Sequence, residues 1–183
     1  MNYQEKTVAL KNGGTGVIRR AEERDAARLV EFLKTICGET RNLLREPEEV
    51  AITEERERDY LRKMADSGGE LMLLAEVDGV HAGTATFSAV DESRRMRHRC
   101  GVDIALHQSF WGMGLGTALL GEVLAAARAA GYEQAELEVV SSNAAAVALY
   151  KKLGFAATGT VPRAMKYKDG TYADFLFMVK YLG

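Results

Sequence analysis

The spacing of apolar positions changes period repeatedly along the chain, and each change predicts an element. Residues 7–10 and 17–19 are short strand-like runs on either side of Asn12, Gly13, Gly14 and Gly16, which tolerate positive φ, so the chain opens with a hairpin. Ala27, Val30, Leu33 and Ile36 then repeat on one face at helical spacing, with Glu22 and Glu23 expected in the first turn. Thr53, followed by Glu54 and Glu55, predicts the N-cap of a second helix. Between the two helices, residues 38–47 follow no period and read as a connecting loop. Two strand-like runs, 71–77 and 80–89, flank the hairpin signal Asp78-Gly79, and a polar turn leads to a third run at 100–106. The period becomes helical over 114–130, with Gly131 as its stop. A strand at 135–140, a short alanine-rich helix at 143–153 and closing strands at 157–167 and 172–181, joined at Asp169-Gly170, complete the order. Hairpins alternate with strand–helix–strand units. The expectation is an α/β (α+β) fold with a central mixed, largely antiparallel twisted sheet flanked by helices, in a single domain over 1–183.

The most informative local feature is Phe110-Trp111-Gly112-Met113-Gly114-Leu115-Gly116-Thr117, between a strand and a helix. Glycines in alternate positions remove the side chains that would keep a ligand from the main chain. The helix start adds unpaired N–H donors and the positive end of its dipole, a cradle for a phosphate or diphosphate. A dinucleotide fingerprint would need Gly or Ala in place of Thr117, and a Walker-type loop would need Lys in place of Gly116. Neither familiar nucleotide loop fits.

Composition narrows the partners. A net charge of -2 provides no field for nucleic acid or an anionic membrane, so neither is expected. The local basic run Arg94, Arg95, Arg97, His98 and Arg99 reads either as a solvated turn and strand edge or as a patch for an acidic partner. Cys37 and Cys100 match no redox or metal spacing and read as buried apolar residues; His81, His98 and His107 share no ligand spacing, so no metal is expected. The first residues lack a secretory core, and no apolar run reaches the ~20 residues of a membrane span. These features predict a cytoplasmic protein.

Gly114-Leu115-Gly116 after Trp111 resembles the acyl-CoA signature of the GNAT acetyltransferase superfamily, Arg/Gln-x-x-Gly-x-Gly/Ala. The stretch from Leu137 through Glu138, Asn143 and Tyr150 to Phe155 is similar to the strand–helix–turn of ribosomal-protein alanine N-acetyltransferases. Trp111 departs from the pattern, standing where the signature has Arg or Gln. The resemblance implies a GNAT-like fold, acetyl-CoA as cosubstrate and an amine as acceptor. It implies main-chain donors to the diphosphate at Gly112, Met113, Gly114, Leu115, Gly116 and Thr117, main-chain contacts to the pantetheine arm from Ile104, Ala105 and Leu106, and a cofactor hydrogen bond from Asn143. Tyr150 matches the residue that protonates the departing CoA thiolate, and Glu138 matches a strand carboxylate acting as general base. Asp103 and Glu39 are competing bases, and Asn143 reads equally as a helix N-cap. Near the end of the chain, Arg163, Lys166, Tyr167, Tyr172 and Asp174 cluster at a hairpin that borders the acceptor site in GNAT proteins or forms cross-strand pairs. The acceptor stays open between a small molecule and a peptide or protein N-terminus, the latter favoured by the 137–155 match. A non-catalytic acyl-CoA sensor is the alternative, and the edges of the closing strands leave room for a homodimer.

Overall fold

The computed structural model describes residues 3–183. Strands β1 (Lys6–Ala9) and β2 (Thr15–Arg20) form the opening hairpin. Helix α1 (Ala26–Glu39) begins later than its charge pattern predicts: Glu22 and Glu23 stand outside its first turn, and Glu23–Asp25 is a separate 3-10 turn. The cause is Asp25. Its carboxylate accepts the Glu22 N–H at 2.9 Å and is gripped by both ends of the Arg19 guanidinium at 2.8 and 2.7 Å, which closes the chain one turn early. Helix α2 (Glu54–Asp66) starts as expected, with the Thr53 hydroxyl accepting the Arg56 N–H at 3.3 Å.

Strands β3 (Leu71–Val77) and β4 (Val80–Ala89) turn at Asp78 and Gly79, with φ of 51° and 76°, the two positive values of a type I′ hairpin. The order continues with β5 (Arg99–Leu106), α3 (Leu115–Ala129), β6 (Gln134–Val140), α4 (Ala144–Lys152), β7 (Ala156–Lys166) and β8 (Tyr172–Tyr181). One eight-stranded sheet results, in the order β1-β2-β3-β4-β5-β6-β8-β7. Neighbours are antiparallel except β5 and β6, which α3 links by the crossover that parallel strands require. Helix α3 buries Leu115, Leu119, Leu120 and Val123 against Ile18, Leu71, Leu73 and Phe87 on one face. On the other face Leu74 meets Ala26 and Leu29 of α1 and Leu61 of α2. Strand β3 is therefore buried on both sides, and each of its leucines contributes about 2 kcal/mol of transfer free energy.

The break in the sheet matters most for function. Strands β5 and β6 pair only from Arg99–Gly101 to Gln134–Glu136. Beyond Gly101, β5 stays bonded to β4 as far as Leu106, and β6 stays bonded to β8 as far as Val140. The strands part, and each turns an unpaired main-chain edge into the gap.

Candidate active site

A cleft of about 1380 Å³ occupies this gap and runs to the N-terminus of α3. Ile104, Ala105 and Leu106 line it from β5, and Leu137 to Val140 line it from β6. At its α3 end the two motif glycines Gly112 and Gly114 adopt φ of 76° and 86°, left-handed values that a side chain would strain. Gly114 caps α3 without any side-chain acceptor, and among the described residues no N–H from Gly112 to Thr117 donates to a protein group. Gly116 serves a different purpose. A methyl group there would sit 3.1 Å from Leu106 Cδ1 and 3.5 Å from Leu149 Cδ2, so its bareness lets the start of α3 close on the end of β5. Trp111, in the position of the signature's Arg or Gln, is turned back: its indole N–H donates to the Leu106 carbonyl at 2.9 Å. That carbonyl is thus already engaged. The main chain of Ala105, opposite Thr84 and two residues from the His107 N–H bonded to Ala82, is turned to β4. Of the three expected contacts, Ile104 therefore has the free main chain toward the gap.

Tyr150 is buried, lies edge-on to Phe155 at 5.9 Å between centroids and lines the cleft. Burial first, and the Asp103 carboxylate second, push its phenol up to about 12. Asn143 caps α4, accepting the Ala146 N–H at 3.2 Å, and also lines the cleft. Strand alternation points Val102 and Leu137 into the core and puts Asp103 and Glu138 on the opposite face, on the two sides of the gap. Asp103 is reachable by solvent yet crowded by protein within the cleft, and that desolvation raises its carboxyl pKa. Glu39 is elsewhere. It accepts the Gln108 N–H at 2.7 Å and lies 3.3 Å from His107 Nδ1, so it ties α1 to the loop before α3 instead of facing the cleft.

The rest of the cleft wall comes from parts of the chain with no recognisable motif. Helix α2 contributes Arg56, Glu57 and Tyr60, and the loop after α1 contributes Arg45. Burial raises the Glu57 carboxyl, and burial with the charges of Glu70, Glu57 and Asp103 pushes Tyr60 up to about 12. Neither Arg45 nor Arg56 forms an ion pair among the described residues. Tyr60 carried one faint signal, as the lone aromatic of a highly charged helix; Arg45 carried none. The hairpin of β7 and β8 divides its residues. Phe175 and Phe177 line the cleft, whereas Arg163 and Lys166 stack over Tyr172 at 3.9 and 5.8 Å, and Asp174 accepts the Arg163 N–H at 2.8 Å, all outside it. Of the basic run, Arg99 pairs with Glu136 at 2.6 Å across the parallel strands.

The model of the acetyltransferase (GNAT) family matches residues 37–155, more than half of the chain. The chain belongs to the GNAT family. Among its relatives, the L-methionine sulfoximine/L-methionine sulfone acetyltransferase of Salmonella typhimurium is 31% identical over 110 residues, which cover 60% of this chain and 64% of that enzyme. A GNAT acetyltransferase of Streptococcus pneumoniae superposes with a TM-score of 0.87 at 35% identity, covering 92% of this chain and 99% of that one. The YncA structure from Salmonella typhimurium, solved with its cofactor acetyl-CoA, superposes with a TM-score of 0.81 at 25% identity over 92% of this chain and 94% of its own. The GNAT fold predicted from the motif order is the fold observed. The family match leaves out β1, β2 and most of α1 at one end and β7 and β8 at the other.

Proposed function

We propose that the protein is an acetyl-CoA-dependent N-acetyltransferase whose acceptor is the primary amine of a small α-amino acid. The observation that carries this reading is the gap between β5 and β6, which ends on the free amides of Gly112 to Thr117. An open strand edge suits the amide-bearing pantetheine arm, and clustered N–H donors at a helix start suit the diphosphate. The acetyl-CoA found with YncA supports the same occupant here. The acceptor follows from charge: Asp103 and Glu138 attract an ammonium, and the unpaired Arg45 and Arg56 suit a carboxylate on the same wall. The Salmonella relative, named for two amino-acid analogues, supports this over a protein N-terminus. The free, buried thiols of Cys37 and Cys100 fit work in the reducing cytoplasm.

In the proposed reaction the neutral amine attacks the thioester carbonyl, an N–C bond forms and the C–S bond breaks. The amine of a free amino acid is held above the ~8 of a peptide N-terminus by its own carboxylate, so it arrives mostly protonated at pH 7 and a base must take its proton. Glu138 is the base implied by the family resemblance. Asp103 is a second reading, favoured by its raised pKa and by its field on Tyr150. Tyr150 protonates the departing sulfur. Burial keeps the phenol protonated at working pH, so its proton is there to give as the C–S bond breaks.

Thiol release from acetyl-CoA against amino acids, polyamines and peptide N-termini tests the function. Turnover on amino acids, lost when the acceptor's carboxylate is amidated, is the expected result; turnover on peptides alone would overturn the acceptor. The base is separated by pH profiles. A base must be ionised, so its loss removes the acid-side limb of kcat/KM. Removal of that limb by Glu138→Gln assigns Glu138, and removal by Asp103→Asn assigns Asp103.

A further inference from the structure

The opening hairpin lies outside the matched family region, yet it is docked on the anion-binding end of the cleft. Tyr3 and Lys6 hold Glu122 of α3 at 3.1 and 2.6 Å, and Gly16 packs on Leu115. At the turn of the hairpin the Lys11 N–H donates to the Met113 carbonyl at 3.0 Å. Because the C=O and N–H of a trans peptide point opposite ways, this bond fixes the Gly114 N–H facing away from the hairpin. The Lys11 side chain lies along Gly114: a methyl group at that glycine would be 3.5 Å from its Cγ, 3.9 Å from Cδ and 3.8 Å from Cε. Lys11 lines the cleft, is exposed, and forms no ion pair among the described residues.

The geometry points to Lys11 as a further binding residue for the diphosphate of coenzyme A, an inference that rests on the proposed acetyl-CoA site. Its ammonium supplies the side-chain donor that the signature's Arg or Gln would bring and that Trp111 does not, since the indole N–H is spent on the Leu106 carbonyl. The place of the stem, flat on the middle glycine of the amide cluster, assigns it to the diphosphate and not to the 3′-phosphate.

Trp111 is the only tryptophan of the chain and lines the cleft, so its fluorescence reports binding. Titrations with CoA and with dephospho-CoA would be run on the wild type, Lys11→Gln and Lys11→Arg, with thermal unfolding to verify that each variant is folded. The expected result is about tenfold weaker binding of both ligands to Lys11→Gln, near-wild-type binding to Lys11→Arg, and a shallower salt dependence for the glutamine variant. Turnover of S-acetylpantetheine, which has no phosphate, is expected to be equal in all three proteins. Wild-type binding that Lys11→Gln matches would overturn the role of Lys11 and leave the cofactor site standing. A loss confined to CoA, with dephospho-CoA unaffected, would overturn the diphosphate assignment. Absence of CoA binding by the wild type would remove the underlying site itself.

Discussion

With its pKa at about 12, Tyr150 stays protonated throughout the range in which acceptor amines become neutral. A phenol left at its ordinary value near ~10 would begin to lose its proton in that range. Tyr150→Phe should therefore lower kcat about 100-fold, the low end of general-acid contributions, and leave the Kd for acetyl-CoA within about twofold. Steady-state kinetics beside a fluorescence titration checks both halves, and an unchanged kcat would remove Tyr150 from the mechanism. The wild type should also show no downturn in kcat from this group below about pH 11. Asp25 is a residue of the opposite kind, structural and strongly paired. Burial works against its charge, but the hydrogen bonds and field of Arg19, the Glu22 N–H and the charge of Arg28 prevail and lower its pKa. A depressed folded pKa stabilises the fold above the ordinary carboxylate value and loses that contribution as pH falls through the folded one. Asp25→Asn should cost about 3 kcal/mol at pH 7 in urea unfolding, because it leaves the half-buried Arg19 short of a counter-charge, and the deficit should shrink toward pH 2.

Among the elements, the loop after α1 and the tip of the β7–β8 hairpin meet across surface charges. Arg41 bonds Asp169 at 2.8 Å and stacks over Tyr167 at 4.1 Å, while Lys168 pairs with Glu48 and lies 3.8 Å from Glu46. Each such exposed pair is worth at most about 1 kcal/mol, so stability will barely register their loss. Position will. The same loop brings Arg45 to the cleft, and the same hairpin brings Phe175 and Phe177. Arg41→Ala should raise the acceptor KM about threefold without moving the acetyl-CoA KM, both measured at one fixed ionic strength. Equal KM values in variant and wild type would mean that the latch does not position the acceptor wall. Local codes account for what the sequence discloses of these elements. Thr53, Asp78-Gly79, Gly114 and Gly131 each act within a few residues, so the elements they bound were readable, as was the glycine turn. The late start of α1 was hidden because Asp25 answers to Arg19 on β2, whose guanidinium Glu76 on β3 also holds. The far wall of the cleft was hidden for the same reason: Arg45, Arg56 and Tyr60 face it only because two helices and a loop fold over the sheet.

For the whole molecule, the sheet behaves as two half-sheets, β1 to β5 and β6 to β8, joined directly only where Arg99–Gly101 meets Gln134–Glu136. A ligand whose arm lies along the β5 edge and whose diphosphate sits on the start of α3 fills the space where the seam is unpaired. Saturation at about 100 times Kd stabilises any binding-competent fold by about 2.7 kcal/mol, which for a chain of this size raises Tm by about 5–10 °C. Tm alone does not separate a bridging ligand from one bound at the loop, because mass action gives the same figure at equal saturation. Amide hydrogen exchange does. With acetyl-CoA, exchange should slow both at 112–117 and at the gap-facing amides within 102–106, those of Ile104 and Leu106 beyond the last pairing with β6. With 3′,5′-ADP, which carries phosphates but no pantetheine arm, only 112–117 should slow. If acetyl-CoA protects the glycine turn and leaves 102–106 exchanging at the free rate, the arm does not run along β5, and the acetyl group is delivered by some other path to Tyr150.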